Sequence, residues 1–197
     1  RDGEAAANWR LPNGNNTVRA IWPDGFLPLI KTDIWDGSGA VGLKGNLANW
    51  KWDLSTEYGF NTLGYNVANS NNASMGTASP RNFDAGELGF GQWTTNLDFF
   101  RDLNLGGGRP LRTALGAEFR LDQFKITAGD SASWMDGGQP ILDGPNAGSS
   151  TIRPAPGAQG FPGFRPADEQ DATRNNYALY ADLETDIPLN GDGVTYC

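Results

Sequence analysis

Five stretches of the chain alternate apolar and polar residues with a period of two. In the first, Trp35, Gly37, Gly39, Val41, Leu43, Gly45 and Leu47 interleave with Asp36, Ser38, Ala40, Gly42, Lys44 and Asn46. After Ala48-Asn49, the series Trp50, Trp52, Leu54, Thr56, Tyr58, Phe60 interleaves with Lys51, Asp53, Ser55, Glu57, Gly59, Asn61. The third sets Trp93, Thr95, Leu97, Phe99 against Gln92, Thr94, Asn96, Asp98, and the fourth sets Leu111, Thr113, Leu115, Ala117, Phe119, Leu121 against Arg112, Gly116, Glu118, Arg120, Asp122. The fifth sets Tyr177, Leu179, Ala181, Leu183, Thr185, Ile187 against Asn176, Tyr180, Asp182, Glu184, Asp186. Successive side chains of a strand point to opposite faces, so this period predicts strands with one apolar and one charged face.

The connections alternate as well. They are short at Ala48-Asn49, Gly106–Arg109 and Pro188–Gly193, and long over about 64–91 and 129–173. Each run holds its alternation for ~10 residues or more, the length with which a tilted strand crosses a bilayer, whereas sandwich strands average nearer 5–6. Short turns on one side and long loops on the other match outer-membrane barrels. Aromatic residues mark both ends of the apolar faces: Trp50 and Trp52 near the short turns, and Trp35, Tyr58, Phe60, Trp93 and Tyr177 near the long loops. Such girdles flank the apolar band of a barrel. The pattern therefore predicts an all-β fold, an antiparallel up-and-down transmembrane β-barrel segment of about five long strands with long extracellular loops.

The expected partition is 1–32 extracellular loop, 33–63 hairpin, 64–91 loop, 92–128 hairpin, 129–173 long loop, 174–187 strand, and 188–197 turn and end. Val41, Leu43, Leu54, Leu97, Leu115 and Leu183 are expected to face lipid, while Lys44, Asp53, Glu57, Asp98, Glu118 and Asp182 face the lumen. Arg101 breaks the apolar face near its short-turn end, where a snorkelling guanidinium costs little. Phe100 falls on the polar face. A soluble antiparallel sandwich also alternates, so a soluble all-β binding or adhesive module stands as the alternative.

Composition narrows the chemistry. Leu, Ile, Val and Phe make up about a fifth of the 197 residues, which is marginal for a thick conventional core. Histidine is absent, and this removes Ser–His and Cys–His catalysis and the usual zinc sites. Cys197 is the single cysteine, so no internal disulfide can form. A net charge of -8 argues against nucleic acid as a partner. No apolar run reaches the ~18–20 residues of a membrane helix.

Pro23-Asp24-Gly25-Phe26-Leu27-Pro28-Leu29-Ile30, Asn69-Ser70-Asn71-Asn72-Ala73-Ser74-Met75-Gly76 with Phe83-Asp84-Ala85-Gly86, and Leu115-Gly116-Ala117-Glu118-Phe119-Arg120 follow one another along the chain. Gly160-Phe161-Pro162-Gly163-Phe164-Arg165-Pro166 then leads to Arg174-Asn175-Asn176-Tyr177-Ala178-Leu179-Tyr180-Ala181-Asp182-Leu183-Glu184. In the order and spacing of these segments the chain resembles the β-barrel region of TonB-dependent outer-membrane receptors. The resemblance implies a bacterial outer-membrane location among lipid and active uptake of a small nutrient such as a metal chelate or oligosaccharide. The energy would come from the TonB system, acting through a plug domain that these residues do not include. It implies no enzyme activity and no cofactor. Such receptors are large barrels of about 22 strands, so five strands make a slice of one.

Several motifs have plainer readings. Gly37-Ser38-Gly39-Ala40-Val41-Gly42 matches the dinucleotide fingerprint by letter but lacks the following helix. The polar-face carboxylates read as a hydrated wall interleaved with Lys44, Lys51, Arg112 and Arg120 rather than an acid/base pair. Asp130, Asp136 and Asp143, or Asp186 and Asp192, carry oxygen ligands without EF-hand spacing, so no metal site is assigned. The 129–173 loop holds six of the twelve prolines and offers Trp134, Arg153, Phe161, Phe164 and Arg165 as ligand-binding candidates.

Overall fold

The computed structural model describes residues 2–104, 110–189 and 192–196, with side chains described up to 185. The Gly106–Arg109 turn, Cys197 and the side chains of Asp186, Ile187 and Asp192 lie outside the described residues. Among the described residues the chain forms one antiparallel, up-and-down sheet of seven strands in sequence order. These are β1 (Asp2–Ala6), β2 (Leu29–Leu47), β3 (Trp50–Ala68), β4 (Phe83–Asn104), β5 (Pro110–Thr127), β6 (Gln170–Leu189) and β7 (Asp192–Tyr196). The order is linear, with β1 and β7 outermost, so the sheet is not closed. No helix among the described residues is long and apolar enough to cross a membrane, and that statement does not bear on strands.

Five long strands run through the five alternating stretches, but the expected boundaries need correction. The 64–91 segment is a loop only between its ends, because β3 continues to Ala68 and β4 begins at Phe83. The physical reason is a change of phase. The apolar side of β3 carries even residues up to Phe60; beyond it almost every position is at least half-buried, and the two that join the first unit's apolar cluster, Tyr65 and Val67, are odd. The 1–32 segment contains β1, which pairs residue by residue with Leu29–Asp33 and has no alternation of its own. The 129–173 segment contains a single helical turn, α1 (Ser131–Trp134), a 3-10 turn at Pro166–Asp168 and the start of β6. The 188–197 segment holds β7, paired with Thr185–Leu189.

The chain divides into two compact units: Arg1–Asp36, Asn61–Phe90 and Phe124–Ala172 form the first, and Gly37–Phe60, Gly91–Gln123 and Thr173–Cys197 the second. Every buried residue among those described belongs to the first. Its apolar cluster is small: Val67, Phe83, Ala85 and Ala158, with Tyr65, Ala132 and Phe161 packed against it.

The rest of the first unit's interior holds Val18, Phe26, Ala73 and Ile141 and, beside them, a set of buried polar side chains. Ser70, Asn71 and Asn72 are wholly inaccessible, and Ser74 nearly so. The Asn72 amide donates to the carbonyls of Ala132 and Met135, both at 2.9 Å, while its oxygen accepts from the Ser74 hydroxyl at 2.6 Å and the Ser74 N–H at 3.2 Å. The Ser70 hydroxyl donates to the Gln159 carbonyl at 2.7 Å, and the Ser70 carbonyl accepts from Trp22 Nε1 at 3.1 Å. Asn71 Nδ2 donates to the Asn16 carbonyl, and Asn69 Nδ2 to the Leu27 carbonyl. The connection between β3 and β4 thus ties the 7–28 and 129–165 segments to itself through side-chain amides and hydroxyls. Pairing of this kind is what makes buried polar groups tolerable in a dry interior, and in this set the Asn71 Oδ1 alone is left without a partner among the described residues. Trp22 stacks on Phe26 at 5.5 Å, and the Arg81 guanidinium lies 4.6 Å over Trp22.

Removing the Asn72 side chain strands two carbonyls and the Ser74 donors in a dry interior. Asn72→Ala is therefore expected to cost about 2–4 kcal/mol, since each orphaned buried group costs roughly 1–3 kcal/mol. The measurement is the urea midpoint. Asn66→Ala, which removes an exposed hydrogen bond to Asp33, should shift it far less.

Candidate functional site

The second unit is a sheet whose two faces differ in kind. Strand alternation places Val41, Leu43, Leu54, Leu97, Leu115 and Leu183 on one face and Lys44, Asp53, Glu57, Asp98, Glu118 and Asp182 on the other. Neither face is covered: no residue described in this unit is buried.

The apolar face is open over its whole extent. Val41 and Leu43 are each 67% exposed, Leu54 and Leu115 40%, and Leu179 86%. Aromatic residues gather on it. Tyr58 meets Trp93 edge-on at 6.3 Å and Phe119 lies 5.2 Å from Tyr177. The Trp93 indole donor is satisfied, because Trp93 Nε1 donates to Thr56 Oγ1 at 2.7 Å and Thr56 Oγ1 pairs with Thr95 Oγ1 at 2.9 Å. Arg101, the charged exception on this face, sits 5.8 Å over the Trp50 ring, so its guanidinium rests on an aromatic rather than on aliphatic neighbours.

On the polar face the charges pair across strands. Asp122 of β5 accepts from Gln92 of β4 at 2.8 Å and from Asn176 of β6 at 3.0 Å, with Arg120 and Arg174 each at 3.6 Å. Tyr180 of β6 donates its hydroxyl to Asp98 of β4 at 2.8 Å, and Arg112 meets Glu184 at 3.3 Å. Of the six polar-face candidates, the structure joins Asp98 to a partner strand. Lys44, Asp53, Glu57, Glu118 and Asp182 stand along the face without a side-chain hydrogen bond or ion pair among the described residues.

Glycine makes the Tyr180 contact possible. Tyr180 crosses Gly116 of the intervening strand, and a Cβ at Gly116 would fall on its ring. The same device recurs: Phe60 lies against Gly37, Trp52 against Gly45, and the Tyr58 hydroxyl against Gly91. An aromatic ring over a neighbouring strand's glycine restores the packing that glycine lacks. The glycines of Gly37–Gly42 are thus strand residues, and no helix follows them, so the dinucleotide reading has no structural support.

The five loop candidates do not converge. Phe161 and Phe164 contact Tyr65 at 5.1 and 6.0 Å and each other at 5.7 Å, which puts them in the packing of the first unit. Trp134 Nε1 donates to the Gly129 carbonyl, Arg153 Nη1 to the Gly138 carbonyl, and the Arg165 N–H to Asp168 Oδ2. Asp136 and Asp143 accept from the N–H groups of Gly138 and Arg19. Among the described residues no group of three or more acidic or cysteine side chains is placed to hold a metal ion. A groove in the first unit that the sequence did not signal is lined by Asp33, Trp35, Tyr65, Asn66, Asp84 and Glu87. These residues come from three strands and share no motif, so only pairing reveals them.

No protein-family model, curated protein or solved structure matches the chain.

Because the Tyr180 ring occupies the space over Gly116, Gly116→Val is expected to expel it from Asp98 and to destabilise by about 1–3 kcal/mol, the usual cost of overpacking. Tyr180→Phe, which loses only the hydrogen bond, should cost about 0.5–1.5 kcal/mol. Denaturation of the two variants side by side checks the order, and equal costs would show that the ring does not need the glycine.

Proposed function

We propose that the chain is part of the β-barrel of an outer-membrane active transporter of the TonB-dependent type, which takes up a scarce nutrient such as a metal chelate or oligosaccharide. The observation that supports this most is the uncovered apolar face of the second unit. Eleven large apolar side chains on it are 40% exposed or more, from Val41, Leu43 and Leu47 to Tyr177, Leu179 and Leu183. Burying one such side chain is worth about 1.5–3 kcal/mol. Even half of that over the whole face is on the order of 10 kcal/mol, comparable to the entire stability of a domain. A face of this kind belongs against lipid or a second protein layer. Lipid is favoured by strands of 18 to 22 residues, by the aromatic residues at the ends of the apolar band and by the charged opposite face.

In this reading the paired polar face lines a hydrated lumen. The 69–82 and 128–169 segments are extracellular and the Ala48-Asn49 turn is periplasmic. Ligand capture falls to the extracellular segments. Coupling to TonB requires a plug domain outside these residues.

Leu43→Arg and Leu115→Arg should each cost about 2–4 kcal/mol if they face the bilayer midplane. Leu142→Arg, on an exposed loop of the first unit, should be near neutral. Refolding into vesicles at graded urea measures the difference. Release of the protein from cells by aqueous buffer without detergent would sink the membrane reading and leave the soluble binding or adhesive module.

Sidedness has its own test in a Cys197→Ser background. Ser150→Cys is expected to react with an impermeant thiol reagent on intact cells and Ala48→Cys only after the outer membrane is opened. Ala48 already carries a Cβ at a φ of 47°, so cysteine adds no new backbone strain there. The reverse labelling pattern would invert the topology.

A further inference from the structure

Phe100 is the residue that the alternation of β4 leaves unexplained: a large ring, 43% exposed, on the charged face of the second unit. The register shows what stands beside it. Gly42 lies against Ser55 and Gly45 against Trp52, so in the β2–β3 hairpin Lys44 is opposite Asp53 and Asn46 opposite Lys51. Thr56 of β3 pairs with Thr95 of β4, which sets Lys51 opposite Phe100 and Asp53 opposite Asp98. Opposite residues of an antiparallel pair share a face, with Cβ atoms ~5 Å apart. Asn46, Lys51 and Phe100 thus form one row across three strands, and Lys44 and Asp53 begin the next. These five side chains surround a hollow of about 450 Å³ whose remaining lining is Gly45 and Trp52.

Their polar ends are free. Among the described residues Lys44, Asn46, Lys51 and Asp53 make no side-chain hydrogen bond or ion pair, and Phe100 makes no ring contact. Elsewhere on this face charges are paired, Arg112 with Glu184 and Asp122 with Arg120 and Arg174. Lys51 has no carboxylate opposite it on either side. Two of the chain's four lysines meet here although the net charge is -8, so the hollow is a cationic exception on an acidic chain. It offers two ammonium groups, one carboxylate, one amide and one ring. That set matches a ligand that brings a carboxylate to the lysines, hydroxyls to Asp53 and Asn46, and a flat apolar face to Phe100.

We infer that this hollow binds a small organic anion, a carboxylate carried on a flat, hydroxyl-bearing ring, the chemistry shared by sugar acids and hydroxyaromatic acids. Lys44 and Lys51 hold the carboxylate, Asp53 and Asn46 take the hydroxyls, and Phe100 is the platform. The hollow lies on the polar face and is open whether lipid or protein covers the other one, so its failure and that of the membrane reading are separable.

The test is isothermal titration of the protein in detergent micelles at low salt. Galacturonate and 4-hydroxybenzoate are the two probes, and galactose and acetate are the controls that lack the carboxylate and the ring. At least one acid is expected to bind about tenfold or more tightly than either control, and the tighter of the two identifies the source. Lys51→Gln should weaken that binding by about tenfold, the scale of one charge-assisted hydrogen bond, while Lys125→Gln, outside the hollow, leaves it unchanged. Phe100→Leu should weaken it by about two- to tenfold, and Phe100→Tyr, which keeps the ring, should not. Binding of neither acid more tightly than acetate would overturn the inference. So would equal losses at Lys51 and Lys125, or a Phe100→Leu variant that binds as well as the original.

Discussion

The amide of Asn72 holds the first unit together, and the rest of that unit follows from its being paired. One side chain, at the N-cap of the 3-10 turn Ala73–Ala78, reaches the carbonyl of Ala132 within α1 and that of Met135 just after it, and it fixes Ser74, whose oxygen in turn accepts from the Gly137 N–H at 2.9 Å. Ser70 and Asn71 extend the same arrangement to Gln159 and Asn16. A chain with so few large aliphatic residues cannot order long connections by apolar burial alone. It orders them with short polar side chains that reach backbone carbonyls inside the structure, where a low dielectric strengthens a complete hydrogen bond and penalises an incomplete one.

The second unit solves a different problem with a different residue. A sheet without a covering layer has only cross-strand contacts to fix its register. Here the contacts are aromatic rings laid over glycines and charged groups paired over a strand's width, as Tyr180 reaches Asp98 across Gly116 and Asp122 gathers Gln92, Asn176 and Arg174. A one-residue slip would set each ring against a side chain instead of a glycine and would exchange the two faces. The high glycine content is in this respect a register device rather than a sign of flexibility.

These two solutions explain what was legible in the sequence. The five long strands announce themselves, because period-two alternation from Trp35 to Phe60 and from Gln92 to Asp122 depends only on the geometry of a single strand. The ends of those strands are not legible. At Tyr65 and Val67 the apolar side of β3 changes parity where the first unit's interior begins, and β1 exists only through its pairing with Leu29–Asp33. The hub around Asn72 was visible as the Asn69–Ser74 run but not interpretable, because the carbonyls it reaches lie about 60 residues away in sequence. Phe161 and Phe164 resemble ligand-binding aromatics in sequence and pack on Tyr65 in the structure, a distinction that proline-rich context does not carry.

The choice of backbone carbonyls as the anchors of the Asn and Ser side chains has a consequence for how this surface can change. A carbonyl is the same at every position, so the hydrogen bonds that anchor the chain at Ala132, Met135, Gln159, Asn16 and Leu27 do not depend on which side chains those residues carry. The outward residues of these segments carry little structural duty and are free to be rewritten, by drift or under pressure from anything that recognises them, while the path of the chain beneath stays fixed. Rigidity of the trace and freedom of the exterior are thereby assigned to different atoms of the same segments.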